Sequence, residues 1–125
     1  MSNIVLVGVG GAIGAILRYT LGVQVQEWVK PASFPYGTLF LNLTGCFLIG
    51  LVYFLLSGRG LLGPYSLFFI TGILGGYTTF SAFGLELFTL LASGSWAAAG
   101  WYVLLSNAAG LLAVWLGRVA ALRLG

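Results

Sequence analysis

Two polar side chains lie four residues apart in an apolar segment and could together handle an ion or a hydrogen-bonding partner. They are Thr38 and Asn42, and Gly45 and Ile49 continue the same helical face. An asparagine at membrane depth needs a partner for its amide. It either bonds a neighbouring helix, which contributes about 0.6 kcal/mol on average, or donates its N–H to an anion. The residues themselves leave both interpretations open.

The third apolar segment has the most unusual composition. It contains the run GILGGYTTFSAF over residues 72–83, in which the adjacent glycines Gly75 and Gly76 and two β-branched threonines are poor helix formers. We therefore predict a broken helix near residues 75–78. Non-helical backbone at membrane depth must be covered by protein or water. Such a break frees carbonyl oxygens for a cation and presents a positive half-helix end to an anion. The alternative is a kink that serves packing alone.

Aromatic and hydroxyl side chains follow this break. Phe80, Phe83 and Glu86 recur at three-residue intervals and share a face. A phenyl ring has a positive edge that can face an anion, although such rings more often contact lipid or the core. An ionisable residue within a span is a functional candidate by default. In the fourth segment Tyr102 and Ser106 share a face, and their hydroxyls could line a path or bond neighbouring helices.

Small residues follow one face of the first segment and include one basic side chain: Gly8, Gly11, Ala15, Arg18 and Gly22. The 3,4,3,4 spacing places them in one stripe along a helix. Such a stripe permits close packing with another helix or lines a space. The charge of Arg18 makes ordinary packing a less complete explanation for that residue.

The composition requires that these segments lie in a membrane. Hydrophobic residues make up 60% of the 125 residues and charged residues 6%, against about 25% charged residues in soluble domains. We predict an all-α membrane protein with one domain over residues 1–125. With one cysteine, no histidine and two carboxylates, the chain offers no transition-metal cluster and no convincing catalytic set. The net charge of +3 is dispersed, so a nucleic-acid partner is not expected.

Turn-forming or charged residues separate four predicted spans at about 3–22, 36–57, 64–93 and 95–117 or slightly beyond. With four spans both termini lie on one side, where Arg59, Arg118 and Arg123 also fall, against Arg18 and Lys30 opposite. Lys and Arg in short loops set orientation. Three against two is almost no bias, which makes dual topology, and with it an antiparallel dimer, a hypothesis.

The sequence resembles one family, the small bacterial fluoride channels called Fluc or CrcB. The resemblance covers nearly the whole chain, through Gly11 to Tyr19, Gly37-Thr38 with Asn42 and Gly45, and the third-segment run over residues 75–83. It implies an antiparallel homodimer in the bacterial cytoplasmic membrane, with two passive fluoride pores at the subunit interface that remove toxic fluoride. Two alternatives remain, a paired-gene heterodimer and a non-conducting subunit. A proton-coupled drug exporter would need an acidic residue in the first span, where this chain has Arg18.

The resemblance also implies roles for individual residues. Asn42 is the expected pore-facing amide, Phe80 and Phe83 are the rings past which fluoride moves, and Arg18 lies near an aqueous vestibule. Backbone carbonyls of Gly75 and Thr78 are expected to hold a structural sodium ion at the dimer interface. The remaining polar positions along or near the path are Thr38, Thr79, Ser81, Glu86, Tyr102 and Ser106. The chain departs from the family pattern at Ala82, where threonine is common, and at Tyr77 and Asn107, where apolar residues are expected.

Overall fold

The computed structural model describes residues 2–125, and within this range the chain is helical with no strand. Five helices form four spans, because the third span consists of two helices. They are α1 (Asn3–Trp28), α2 (Tyr36–Gly58), α3 (residues 64–77), α4 (Phe80–Ala92) and α5 (Trp96–Leu124). All four spans are long and apolar enough to cross a membrane. The prediction of a four-span, all-α membrane protein with a broken third span is confirmed.

Two helices are longer than the spans predicted for them. Helix α1 continues to Trp28 rather than ending near residue 22, and α5 continues to Leu124 rather than near 117. The residues that follow these apolar stretches, among them Gln24, Gln26 and Glu27 in α1 and Arg118 and Arg123 in α5, are good helix formers. These helices therefore extend beyond their most apolar stretches.

Glycines bring two helix pairs into close contact. A Cβ atom at Gly14 would overlap the carbonyl oxygen of Ile73, and one at Gly10 would lie 2.5 Å from the carbonyl oxygen of Phe68. This contact joins α1 to α3. A Cβ at Gly117 would overlap the carbonyl oxygen of Phe47, which joins α5 to α2. Small residues permit this approach, and the resulting dispersion contacts hold helices together where no hydrophobic force acts between them.

The predicted stripe in α1 is only partly correct. Gly8 faces open space, whereas Gly10, which lies outside the stripe, is buried against α3. Gly11 lies near Gly76, and Gly22 lies near Leu41 of α2. The contacting face is thus rotated from the predicted one, because α3 approaches α1 through backbone atoms that a spacing pattern does not reveal.

The break lies at the end of the predicted interval. Gly75 and Gly76 remain in the last turn of α3, and the extended residues are Thr78 (φ −85°, ψ 159°) and Thr79 (φ −150°, ψ 122°). A Cβ at Gly76 would lie 2.5 Å from the carbonyl oxygen of Gly11. Gly76 therefore serves helix packing. The β-branched threonines, which favour extended backbone, form the break itself.

Candidate functional site

The side chain of Asn42 holds the break through two hydrogen bonds. The Thr79 backbone N–H donates to Oδ1 of Asn42 over 2.8 Å, and Nδ2 of Asn42 donates to the Thr79 carbonyl oxygen over 2.9 Å. The N–H and the carbonyl of one residue in the break are thus both paired, as they would be in a sheet. Unpaired backbone at membrane depth costs several kcal/mol per group. Asn42 therefore replaces the helical bonds that the break removes.

Other hydrogen bonds at the break release two carbonyl oxygens. In a continuous helix the Gly75 carbonyl would accept from the N–H of Thr79, which donates to Asn42 instead. The Thr78 carbonyl would accept from the N–H of Ala82. That N–H donates to Oγ1 of Thr79, which caps α4. Carbonyl oxygens suit hard cations such as sodium, so Gly75 and Thr78 fit the cation that the sequence resemblance implies.

A cleft of about 350 Å³ adjoins the break. Phe80 and Phe83 line it with ring centroids 5.6 Å apart and planes inclined at 39°. Phe83 is 8% exposed, whereas Phe80 is 83% exposed. The other lining residues are Asn42, Gly45, Cys46, Ile49, Ile70, Leu74, Gly75, Thr78, Thr79, Ser106 and Asn107. This cleft collects the predicted amide, both predicted rings and a hydroxyl.

Ser106 contributes the unsatisfied polar group in this cleft. Its Oγ atom is buried and has no hydrogen-bond partner among the described residues. The residue lies in a π-helical stretch of α5, Leu105–Ala109, and such widened turns occur frequently at functional sites. A buried hydroxyl without a partner is costly. Its position in the cleft suits a ligand that accepts hydrogen bonds.

A carboxyl group organises the other side of the break. Thr38 donates to Oε1 of Glu86 over 2.6 Å, and the hydroxyl of Tyr102 donates to Oε2 over 3.4 Å. Tyr102 is fully buried, and its ring meets Phe83 edge to face at 4.9 Å between centroids. Tyr102 thereby connects the carboxyl group of Glu86 to the ring of Phe83, which is the inner, buried ring of the cleft.

A second cavity, of about 600 Å³, lies on this side. Its lining includes Arg18, Thr38 and Glu86, and we refer to this cavity as the vestibule. Thr79 borders both this cavity and the cleft beside Phe80. The break therefore lies between a cavity lined by charged side chains and an aromatic cleft.

Four further positions that the sequence singled out have other surroundings or other partners. Ser81 is exposed, and its hydroxyl lies 3.4 Å from that of Thr79. Ala82 lines the vestibule without a hydroxyl. Tyr77 is buried and shares a 2.8 Å hydrogen bond with Thr44. Asn107 lies at the cleft but donates to the carbonyl of Val103 within its own helix.

Sequence reasoning missed Gln26, which lines the vestibule. Its Nε2 donates to the carbonyl oxygens of Ala32 and Phe34, and its Oε1 accepts from the N–H of Gly37. The predicted first span ends near residue 22, so Gln26 fell in the connection that follows it. A helix that continues past residue 22 would have placed Gln26 beside the start of α2.

These features define a class: a multi-pass helical membrane protein whose broken span separates two cavities. The sequence model of the CrcB-like protein family (Camphor Resistance, CrcB) matches residues 5–118. The chain belongs to this family.

Curated relatives support the same assignment over nearly the full length. A protein of Roseiflexus sp. (strain RS-1), named fluoride-specific ion channel FluC, is 50% identical over 92% of this chain and 93% of its own. Proteins of the same name from Rhizobium meliloti (strain 1021) and Chloroflexus aurantiacus (strain ATCC 29366 / DSM 635 / J-10-fl) are 47% and 48% identical. These two alignments cover 94% of this chain and 94% and 93% of the relatives.

The paired bonds of Asn42 predict a large effect of its substitution on stability. Asn42→Leu preserves approximate volume but leaves the N–H and carbonyl of Thr79 unpaired. We expect a loss of about 2–4 kcal/mol in the free energy of unfolding, measured by denaturant titration in detergent micelles. Asn107→Leu is the matched control, because that amide is exposed and bonds within its own helix. Equal losses in the two variants would contradict the role of Asn42.

Proposed function

We propose that this chain forms a passive, fluoride-selective ion channel. The observation that carries the proposal is the cleft in which Asn42, Phe80, Phe83 and the unpartnered hydroxyl of Ser106 converge. The relatives described above are named as fluoride-specific ion channels, not as enzymes. Their similarity over more than nine tenths of the chain supports extending that activity to this protein.

The donors in the cleft suit a small anion. Fluoride loses a strong hydration shell when it enters a low-dielectric site, and several donors must replace that shell. Nδ2 of Asn42 has two hydrogens, of which one bonds Thr79; the second is available to an anion. The hydroxyl of Ser106 and the positive ring edges of Phe80 and Phe83 add weaker interactions. Several weak sites in succession permit exit as well as entry.

The proposed path begins in the vestibule. Arg18 attracts anions there, and Thr38, Glu86 and Thr79 line the cavity up to the break. Beyond Thr79 the path follows the cleft beside the phenylalanines. The hydroxyl of Ser81 lies 3.4 Å from that of Thr79, and the hydroxyl of Tyr102 donates to Glu86, so both are close to this route.

A second copy of the chain in antiparallel orientation completes each pore. The ring of Phe80 is 83% exposed beside a polar cleft, so this chain alone leaves one wall of the path open. A water-filled or lipid-filled opening there would not retain a selective site. The near-balanced basic charge supports opposite insertion of the two copies. We place the dimer in the bacterial cytoplasmic membrane, with two pores.

A sodium ion at the dimer interface is part of the same proposal. The carbonyl oxygens of Gly75 and Thr78, released from helical bonding, supply half of a symmetric ligand set. An antiparallel partner would supply the other half. The ion would neutralise carbonyl dipoles that otherwise meet across the interface.

Fluoride efflux tests the proposed activity directly. Liposomes that contain only this protein, with valinomycin to relieve the membrane voltage, should release fluoride rapidly and retain chloride. Phe80→Ile should slow release by about tenfold or more, which requires a loss of only ~1.4 kcal/mol of ion stabilisation. Phe88→Ile is the matched control, since Phe88 is an exposed phenylalanine of the same helix outside the cleft. Silent wild-type protein that is folded would refute the proposal.

Insertion in both orientations can be measured separately. With Cys46→Ser removing the native thiol, Ser33→Cys places one reactive thiol in the connection between α1 and α2 without changing any basic residue. An impermeant maleimide added to intact cells should label about half of the molecules, because neither orientation is strongly specified. Leu61→Cys, in the next connection, should also be labelled in about half. Complete labelling at one position and none at the other would demonstrate a single topology.

Removal of sodium tests the cation. Protein purified and reconstituted with N-methyl-D-glucamine in place of sodium should lose fluoride efflux, and readdition of sodium should restore it. Potassium, which valinomycin requires, is present inside the liposomes in every sample, and it should not substitute for sodium because its larger radius suits a fixed carbonyl set poorly. Unchanged efflux after exhaustive sodium removal would show that the cation is dispensable.

A further inference from the structure

A chain of contacts connects the loop between α1 and α2 to the inner ring of the cleft. Gln26 bonds the carbonyl oxygen of Phe34 over 3.1 Å. The ring of Phe34 meets that of Tyr102 edge to face, with centroids 5.4 Å apart. Tyr102 in turn meets Phe83 at 4.9 Å. The loop, the buried tyrosine and the cleft ring thus form one continuous series.

The side chain of Gln26 joins the end of α1 to both the loop and the first turn of α2. Its Nε2 binds the carbonyl oxygens of Ala32 and Phe34 over 3.3 and 3.1 Å, while its Oε1 accepts from the N–H of Gly37 over 3.1 Å. Pro35 precedes α2 and provides no side-chain cap. The amide of Gln26 therefore satisfies an N–H in the first turn of α2 that has no helical acceptor.

The rings in this series have little freedom to relax independently. Tyr102 is fully buried and belongs, with Phe83, to the same hydrophobic cluster, against which Phe34 packs. Edge-to-face contacts of this kind favour particular relative orientations. In a close-packed interior, movement of Phe34 must be taken up by its neighbours. The hydroxyl of Tyr102, which donates to Glu86, restricts the response further.

We propose that Gln26 is a positioning residue of the ion path: by holding Phe34 against Tyr102 it sets the orientation of the Phe83 ring. This inference rests on the proposed fluoride channel for its functional consequence. Its structural content, the coupling between the loop and Phe83, does not require that any ion is conducted. Loss of the Gln26 bonds frees Phe34 and allows the Phe83 ring to adopt more than one orientation.

The direct test uses 4-fluorophenylalanine in place of Phe83 and fluorine NMR in micelles. The wild-type chain should give one line, and Gln26→Met, which preserves length without hydrogen bonds, should shift or split it. Gln24→Met is the matched control, because Gln24 lies on the same helix with an exposed side chain outside the network. An unchanged line in folded Gln26→Met, or an equal change in Gln24→Met, would overturn the proposal.

Gln26→Glu separates the two functions of the amide and also serves if Gln26→Met fails to fold. A glutamate retains an oxygen for the N–H of Gly37 but loses the donors to the loop carbonyls. The fluorine line should still change, since the bond to Phe34 is lost. A line identical to that of wild type would overturn the proposal.

Fluoride efflux measures the effect of Gln26 on conduction. Gln26→Met should be about three- to tenfold slower than wild type, and adding Phe34→Leu should cause no further loss, because coupled residues are non-additive. Fully additive losses would contradict action through Phe34. Silent wild-type protein would refute the fluoride channel alone, whereas an unchanged fluorine line in Gln26→Met would refute the role of Gln26 alone.

Discussion

Asn42 and the backbone of Thr79 exchange two hydrogen bonds, and the position of the break depends on them. A span that stops being helical in the middle of a membrane exposes groups that lipid cannot satisfy. The side-chain amide of Asn42 satisfies both the N–H and the carbonyl of one residue at the break. It also fixes where α4 begins, because Thr79 is both the bonded residue and the cap of α4. The positions of Phe80, Phe83 and Glu86 follow from that start.

Hydrogen bonds at the break also determine which polar groups remain available to ions. Since the N–H of Thr79 is directed to Asn42, the carbonyl of Gly75 is released, and the capping hydroxyl of Thr79 releases the carbonyl of Thr78. Asn42 retains one amide hydrogen after pairing with Thr79. Asn42 thus contributes to stability, frees one of the two carbonyls that suit a cation and supplies a donor that suits an anion. Substitution of Asn42 cannot separate these three effects, which is why Phe80 is the better functional probe.

Much of the architecture could be predicted from composition and local pattern. Four long apolar segments require a four-span helical protein, and consecutive threonines after two glycines indicate an interrupted helix. The exact role of each residue at the break could not be predicted in this way. Gly76 is needed for its approach to Gly11, and Thr79 for its two backbone bonds. These roles depend on which helix lies opposite, and a single sequence does not contain that information explicitly.

The sequence did not reveal the role of Gln26 for a related reason. A polar run after an apolar segment ends the membrane span without ending the helix, so hydropathy marks the boundary of the apolar stretch and not that of α1. The hydrogen-bond partners of Gln26 lie six to eleven residues further along the chain, across a turn. No helical or strand periodicity relates residues at those separations. Only the folded loop brings them together.

The two phenylalanines differ in a way that bears on how a pore could be built. Phe83 is held by Tyr102 within the core of its own chain, whereas Phe80 is almost fully exposed. A fixed ring can present its edge at a defined position, but an exposed ring requires a neighbour to define one. In the proposed antiparallel dimer the second copy supplies that neighbour. Each pore would then combine a ring positioned by folding with a ring positioned by assembly, so that a conducting site forms only after two copies have met.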